Sequence, residues 1–180
     1  MSSGRKVKVA VYSGSREDNV AGLIQEIRDR MTDYVEEVIF VQLPYNLSDM
    51  LKMKLDKNYY MVLCHSINNR RFSITNVTDA LYDDFLKKAK KRLDRRKVGV
   101  IAHDFGSDEL LPEKLESRME SFRNSQERTF RKSMLQLIGG QLSKSPVELS
   151  DGQWEELRKY FRNELKTPKP KKPGRRNSCL

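Results

Sequence analysis

Four short apolar runs punctuate the first hundred residues: Val7 to Tyr12, Val38 to Leu43, Tyr59 to Cys64 and Val98 to Ala102. Between them, apolar residues recur at helical spacing. This alternation constrains the chain more than any other feature. Parallel strands need a crossover helix, and helices on both faces bury such strands completely, so they read as nearly continuous apolar runs. The expected fold is α/β, a three-layer sandwich around a mostly parallel sheet of four or five strands. In sheets of this kind, ligands gather just beyond the carboxyl ends of the strands. Ser13, Gly14, Ser15, His65, Ser66, His103 and Asp104 all fall there, so the pattern gathers them along one rim.

The first strand is expected over Lys6 to Ser13, with Asp18 capping a helix that carries Val20, Leu23, Ile24 and Ile27. A second strand, Glu37 to Leu43, ends before Pro44, and Ser48 can cap a short helix bearing Met50, Leu51 and Leu55. After the third strand a polar connection runs from His65 to Asn76. Thr78 or Asp79 then opens a long helix with an apolar stripe of Leu81, Phe85, Leu86, Ala89 and Leu93. The fourth strand spans Lys97 to His103. From Leu115 to Ile138 the spacing fits one long or interrupted helix stopping at Gly139-Gly140, with Met134 to Ile138 as a fifth strand the alternative. Asp151 can cap a last helix bearing Trp154, Leu157, Phe161 and Leu165. Residues 1–165 thus read as a single α/β domain. Residues 166–180, with Pro168, Pro170 and Pro173 and no apolar periodicity, read as a disordered basic tail.

Net charge is +10 over 180 residues, but it is not evenly spread. Lys87 to Lys97 holds eight Lys/Arg against Asp94 alone, and Lys166 to Leu180 holds six with no acid, which leaves −3 for the remainder. An acidic partner is expected to touch one of these two segments. With 33% charged residues and no run of about 18 apolar residues, no transmembrane helix is expected. The polar N-terminus lacks the apolar stretch of a secretory signal. Cys64 at a strand end and Cys179 in the tail make a poor disulfide pair, so a reducing, cytoplasmic setting is expected. Nuclear or peripheral membrane placement through the tail is the alternative.

The stretches VKVAVYSGSREDNVAGLIQE, YYMVLCHS and VGVIAHDFGSDELLPEKL, in the order strand, helix, strand, short helix, strand, helix, strand, resemble the flavodoxin-like group. Within that group the chain is most similar to cytosolic TIR and SEFIR signalling domains, over roughly Lys6 to Leu142. That resemblance implies homotypic assembly in innate immune or stress signalling. The loop after Leu43 reads PYNLSD, which differs from the arginine-, proline- and glycine-bearing loop through which TIR domains pair. No position matches the glutamate of NAD-cleaving TIR enzymes, so no catalytic residue is carried over.

Several constellations bear on chemistry. Ser13-Gly14-Ser15 leads into a helix, as phosphate loops do, and with His65 and His103 marks where a nucleotide or flavin would sit; Glu17 and Asp18 would repel an anion there. Cys64 and Arg70 have the spacing of a phosphatase loop, with Asp104 as general acid, although the loop has no glycine to wrap an oxyanion. His65, His103, Asp104 and a serine suggest a hydrolase set, yet His103 and Asp104 are consecutive and should point to opposite sides of the strand end. No residue set offers a metal site.

The basic helix presents Lys87, Lys88, Lys90, Lys91, Arg92, Arg95 and Arg96 around its apolar stripe. It lacks interleaved aromatics, so base stacking is not indicated and nucleic acid is the less favoured partner. In the tail, Lys171, Lys172, Arg175 and Arg176 suit an import receptor or anionic lipid, Ser178 a basophilic kinase and Cys179 palmitoylation. The leading expectation is a non-enzymatic signalling or regulatory interaction module without a cofactor. Its basic helix and tail would engage an acidic protein surface or a homotypic partner. A hydrolase or phosphatase, or a nucleotide- or flavin-binding protein, is the alternative.

Overall fold

Val9 and Val11 point to one face of the first strand and Ala10 and Tyr12 to the other, and all four are buried because helices cover both faces. A computed structural model describes residues 4–68 and 81–166. Its strands are β1 (Val7–Ser13), β2 (Val35–Gln42), β3 (Tyr59–Ser66), β4 (Val98–His103) and β5 (Leu135–Ile138). They pair in parallel in the order β2-β1-β3-β4-β5. The helices are α1 (Ala21–Arg30), α2 (Leu47–Lys52), α3 (Leu81–Leu93), α4 (Pro112–Ser125), α5 (Glu127–Lys132) and α6 (Asp151–Phe161). This is a flavodoxin-like three-layer α/β sandwich, with the strand order reversing at β1 and β3.

On one face, Leu23 and Ile27 of α1 and Trp154 and Leu157 of α6 pack with Val9, Val11, Val62 and Ile101. On the other, Met50 of α2 and Tyr82, Phe85 and Leu86 of α3 pack with Ala10, Met61, Leu63 and Val100. Two glycines allow close approach. A Cβ on Gly99 would lie 3.2 Å from the Tyr160 ring, whose hydroxyl donates to the Met61 carbonyl at 2.5 Å. A Cβ on Gly22 would lie 2.6 Å from the Lys144 backbone, where the Gly22 and Leu23 N–H groups donate to Ser143 and Leu142. Glu26 is buried beside this contact, and a buried carboxylate requires partners. Arg30 donates to its Oε1 at 3.1 Å and the Val147 N–H to its Oε2 at 2.7 Å, joining α1 to the loop after β5.

Element ends differ from the sequence expectation where local capping decides them. Asp18 lies within a short 3-10 turn, Glu17–Val20, that has no side-chain cap. Asn46, not Ser48, caps α2 by accepting from the Asp49 N–H at 2.8 Å. Ser150, not Asp151, caps α6 in a reciprocal box with Gln153. The second strand begins at Val35, because Val7 already pairs with that residue. Between Pro112 and Ile138 the chain breaks at Gln126 and then forms β5, so the helix does not run to Gly139. Pairing with β4 decides an apolar run that spacing alone leaves ambiguous. Thr78 and Asp79 lie outside the described residues.

Candidate functional site

The carboxyl ends of the strands place Ser13, His65, Ser66 and His103 on one edge of the sheet, but pleating divides them between its faces. Ser13, Ser66 and His103 share the parity of Val11, Cys64 and Ile101, which face α1 and α6. His65 faces the α3 side, where its ring meets Tyr82 edge-on with centroids 5.3 Å apart and Nδ1 3.4 Å from the tyrosine hydroxyl. Ser13 Oγ donates to Ser15 Oγ at 3.2 Å and accepts from the Ser15 N–H at 3.1 Å, which closes the turn on itself. Gly14 sits against Tyr82, whose hydroxyl would be 3.5 Å from a Cβ there.

The expectation that His103 and Asp104 point apart is corrected. Asp104 has φ 71°, in the left-handed region, and this turns its carboxylate back towards the strand. Its Oδ2 accepts from Ser66 Oγ at 2.5 Å and lies 3.3 Å from His103 Nδ1. The ring nitrogen is off the line of a hydrogen bond, and neither nitrogen of this fully buried histidine has a hydrogen-bond partner among the described residues. A Ser-His-Asp relay needs the imidazole between the other two. Here the carboxylate occupies the middle, so the serine proton faces a weak base. The His103 ring first, and the Ser66 hydroxyl with it, hold the Asp104 carboxyl below the usual carboxylate range, against partial burial that pushes it up.

A folded value below the unfolded one means that Asp104 stabilises above about pH 4 and loses that contribution as pH falls through the folded value. Asp104→Asn keeps a side chain that tolerates positive φ and removes only the charge. It is expected to lower stability by about 1.5 kcal/mol at pH 7, the lower end for a hydrogen bond to a charged group. Urea unfolding should show the gap between variant and wild type closing as pH falls towards 3.

Cys64 is fully buried among Val11, Val62 and Ile101, and burial pushes its thiol far up. Its environment is that of a core residue. Arg70 lies outside the described residues, as do Lys171, Lys172, Arg175, Arg176, Ser178 and Cys179. Among the described residues no group of three or more His, Cys, Asp or Glu side chains is placed to hold a metal, and no helix is long and apolar enough to cross a membrane.

The opposite edge, at the amino ends of the strands, is built differently. Four open concavities of about 440–630 Å³ adjoin there; the one beside β2 holds Lys6 and Arg28 with Glu36 and Glu37, and the other three are lined mainly by cations. The first of these three is lined by Lys57, Lys90, Lys91, Arg92, Arg95 and Lys97, with Asp94 its only acid. The second shares Lys97 and adds Arg5, Lys6 and Lys8, with Glu36. The third shares Arg92 and adds Lys52, Lys54 and Lys88. Sequence reasoning found the helical cations but not those of Arg5 to Lys8 and Lys52 to Lys57, which the parallel topology brings to the same edge.

The cations of α3 and its end divide into two kinds. Lys88 donates to the Leu51 and Met53 carbonyls, Arg92 to Leu55 at 3.4 Å, and Arg95 to Phe130 and Ser133 at 2.8 and 3.0 Å. Arg96 pairs with Asp94, whose own φ is 77°. These side chains satisfy helix and loop ends while keeping their charge. By contrast, Lys52, Lys54, Lys57, Lys87, Lys90 and Lys91 are exposed, and none is seen in an ion pair or side-chain hydrogen bond among the described residues. At the same edge, α6 ends with the Arg162 guanidinium 5.6 Å from the Tyr34 ring. The chain continues from there into residues 167–180, which contain five Lys/Arg and no acid.

Comparison of the chain with protein-family models, with curated proteins and with solved structures gives no match.

Proposed function

We propose that this chain is a regulatory interaction module that binds a polyanionic partner through the basic edge at the amino ends of its strands. The observation that carries the reading is the convergence of cations from three separated segments, Arg5 to Lys8, Lys52 to Lys57 and Lys88 to Lys97, on adjoining concavities. Bringing like charges together opposes folding, and although Glu36, Glu37 and Asp94 lie at this edge, Lys52, Lys54, Lys57, Lys90 and Lys91 are seen in no ion pair among the described residues. Ordinary solubilising design intersperses both signs. The tail enters this reading as a second basic element that begins beside the same edge. Homotypic assembly of the TIR and SEFIR kind rests on the strand order, which the flavodoxin-like group shares as a whole.

Retention on immobilised heparin at about 0.15 M salt tests the proposal. Wild type should be held. A Lys57→Glu, Lys90→Glu, Lys91→Glu variant should elute at distinctly lower salt. An Arg16→Glu, Lys114→Glu, Lys144→Glu variant makes the same charge change at the opposite edge and should elute near wild type. Equal losses in the two variants would overturn the role of the edge.

A further inference from the structure

We infer that the partner of the basic edge is the phosphate backbone of a nucleic-acid duplex, bound without regard to sequence. The inference rests on the proposed role of that edge and specifies its ligand. Composition comes first. Lysines outnumber arginines three to one across the three cation-lined concavities. Lysine is depleted from the cores of protein–protein interfaces, whereas as a compact point charge it serves well against phosphate oxygens.

The absence of apolar anchors is the second observation. The exposed large apolar residues among those described are Tyr45, Ile67 and Leu111, and each follows the carboxyl end of a strand, at the far edge of the sheet. The basic edge therefore offers neither an apolar wedge for a bilayer nor an aromatic anchor for a protein pocket. Its own aromatics are engaged: Tyr59 donates to Glu37 at 2.9 Å, and Tyr60 stacks edge-on against Tyr160. The Lys8 and Lys97 ammonium groups also lie 5.8 and 5.7 Å from the Tyr59 and Tyr60 ring centroids, which disfavours stacking of unpaired bases there but not a duplex.

The third observation is density. Lys57 and Lys97 line one concavity and Lys6, Lys8 and Lys97 the next, with Lys97 Nζ donating to the Lys57 carbonyl at 2.8 Å, so these cations form a staggered row across the feet of the adjacent strands β1, β3 and β4. The lysines of α2 and α3 flank that row. A duplex presents one charge per about 1.7 Å of axis and so can meet such a row with several phosphates at once. Base edges are read by bidentate Arg, Asn or Gln presented in a groove, whereas Arg92 and Arg95 on this edge are turned to backbone carbonyls and lysines dominate its lining.

The test uses the full chain and a fluorescent duplex of about 24 base pairs, as DNA and as RNA, titrated between 50 and 200 mM salt. Five phosphate contacts predict a log–log slope of about −4.5 and a loss of affinity of roughly 500-fold over that range. Scrambling the sequence should change affinity less than threefold, and an unpaired strand of the same length should bind more weakly. The Lys57→Glu, Lys90→Glu, Lys91→Glu variant should flatten the slope by about three, one per lost contact. The opposite-edge triple variant should leave it unchanged. Duplex binding that the edge variant does not weaken would overturn the inference. Binding to polyglutamate or to phosphatidylserine vesicles in place of the duplex would overturn it while leaving the basic-edge reading intact. Binding to none of these would overturn both.

Discussion

Replacing Trp154 by alanine is expected to cost about 3–5 kcal/mol, in the range for deleting a buried tryptophan. The ring is only 2% exposed and sits in the cluster that joins α1 and α6 to the sheet. Its loss would open a cavity between two helices and remove the face over which the Arg30 guanidinium lies at 4.6 Å. Arg30 also holds the buried Glu26, so the damage should extend to the contact between α1 and the Val147 loop. Against a total of about 5–15 kcal/mol, the variant should be close to unfolded at physiological temperature. Urea denaturation followed by far-ultraviolet circular dichroism measures this. Leu111→Ala, at a residue 45% exposed, is the comparison and should stay within about 0.5 kcal/mol of wild type. A Trp154→Ala cost below about 1 kcal/mol would mean that α6 is not part of the core.

The second large effect is on binding. Converting Lys57, Lys90 and Lys91 to glutamate removes three cations and adds three anions beside the same concavity. At roughly 1 kcal/mol for each cation near an anionic surface, and half of the six-charge change realised, binding should weaken by about 3 kcal/mol, more than 100-fold. The fold should survive, since all three side chains are exposed and none is seen in an ion pair among the described residues. Relief of like-charge crowding should raise the melting temperature slightly. Equilibrium titration with a polyanion, beside a melting curve on the same sample, separates the two effects. A variant that melts as wild type and binds as wild type would remove the edge from consideration.

The α/β architecture was legible because fully covered parallel strands leave continuous apolar runs, and β1, β3 and β4 follow those runs to within a residue or two. The fifth strand was ambiguous, since only pairing with β4 distinguishes Leu135–Ile138 from a helix turn. Caps were misplaced because serine, asparagine and aspartate compete for the same N–H groups, and the winner depends on the angle at which the chain enters the helix. Strand ends located the rim, but not that Asp104 would adopt positive φ and turn back to meet Ser66 and His103. Nothing local in the sequence marks Glu26 as buried. Its burial follows from a loop 121 residues further along. The basic helix was plain from composition. Its extension across the edge was not, because Lys6, Lys54 and Lys57 lie in segments whose local charge is unremarkable, and only the strand order 2-1-3-4-5 brings them beside α3.

Backbone amide chemical shifts, recorded as a polyanion is titrated into the full chain, test most directly whether this edge is the functional surface. The basic-edge reading predicts that the perturbed amides cluster at Lys6, Lys8, Lys57 and from Lys90 to Lys97, with Ser15, Ser66 and Asp104 unmoved. Perturbations centred on Ser13 to Ser15, Ser66 and Asp104, with the lysine edge silent, would contradict it and place the binding site at the carboxyl ends of the strands.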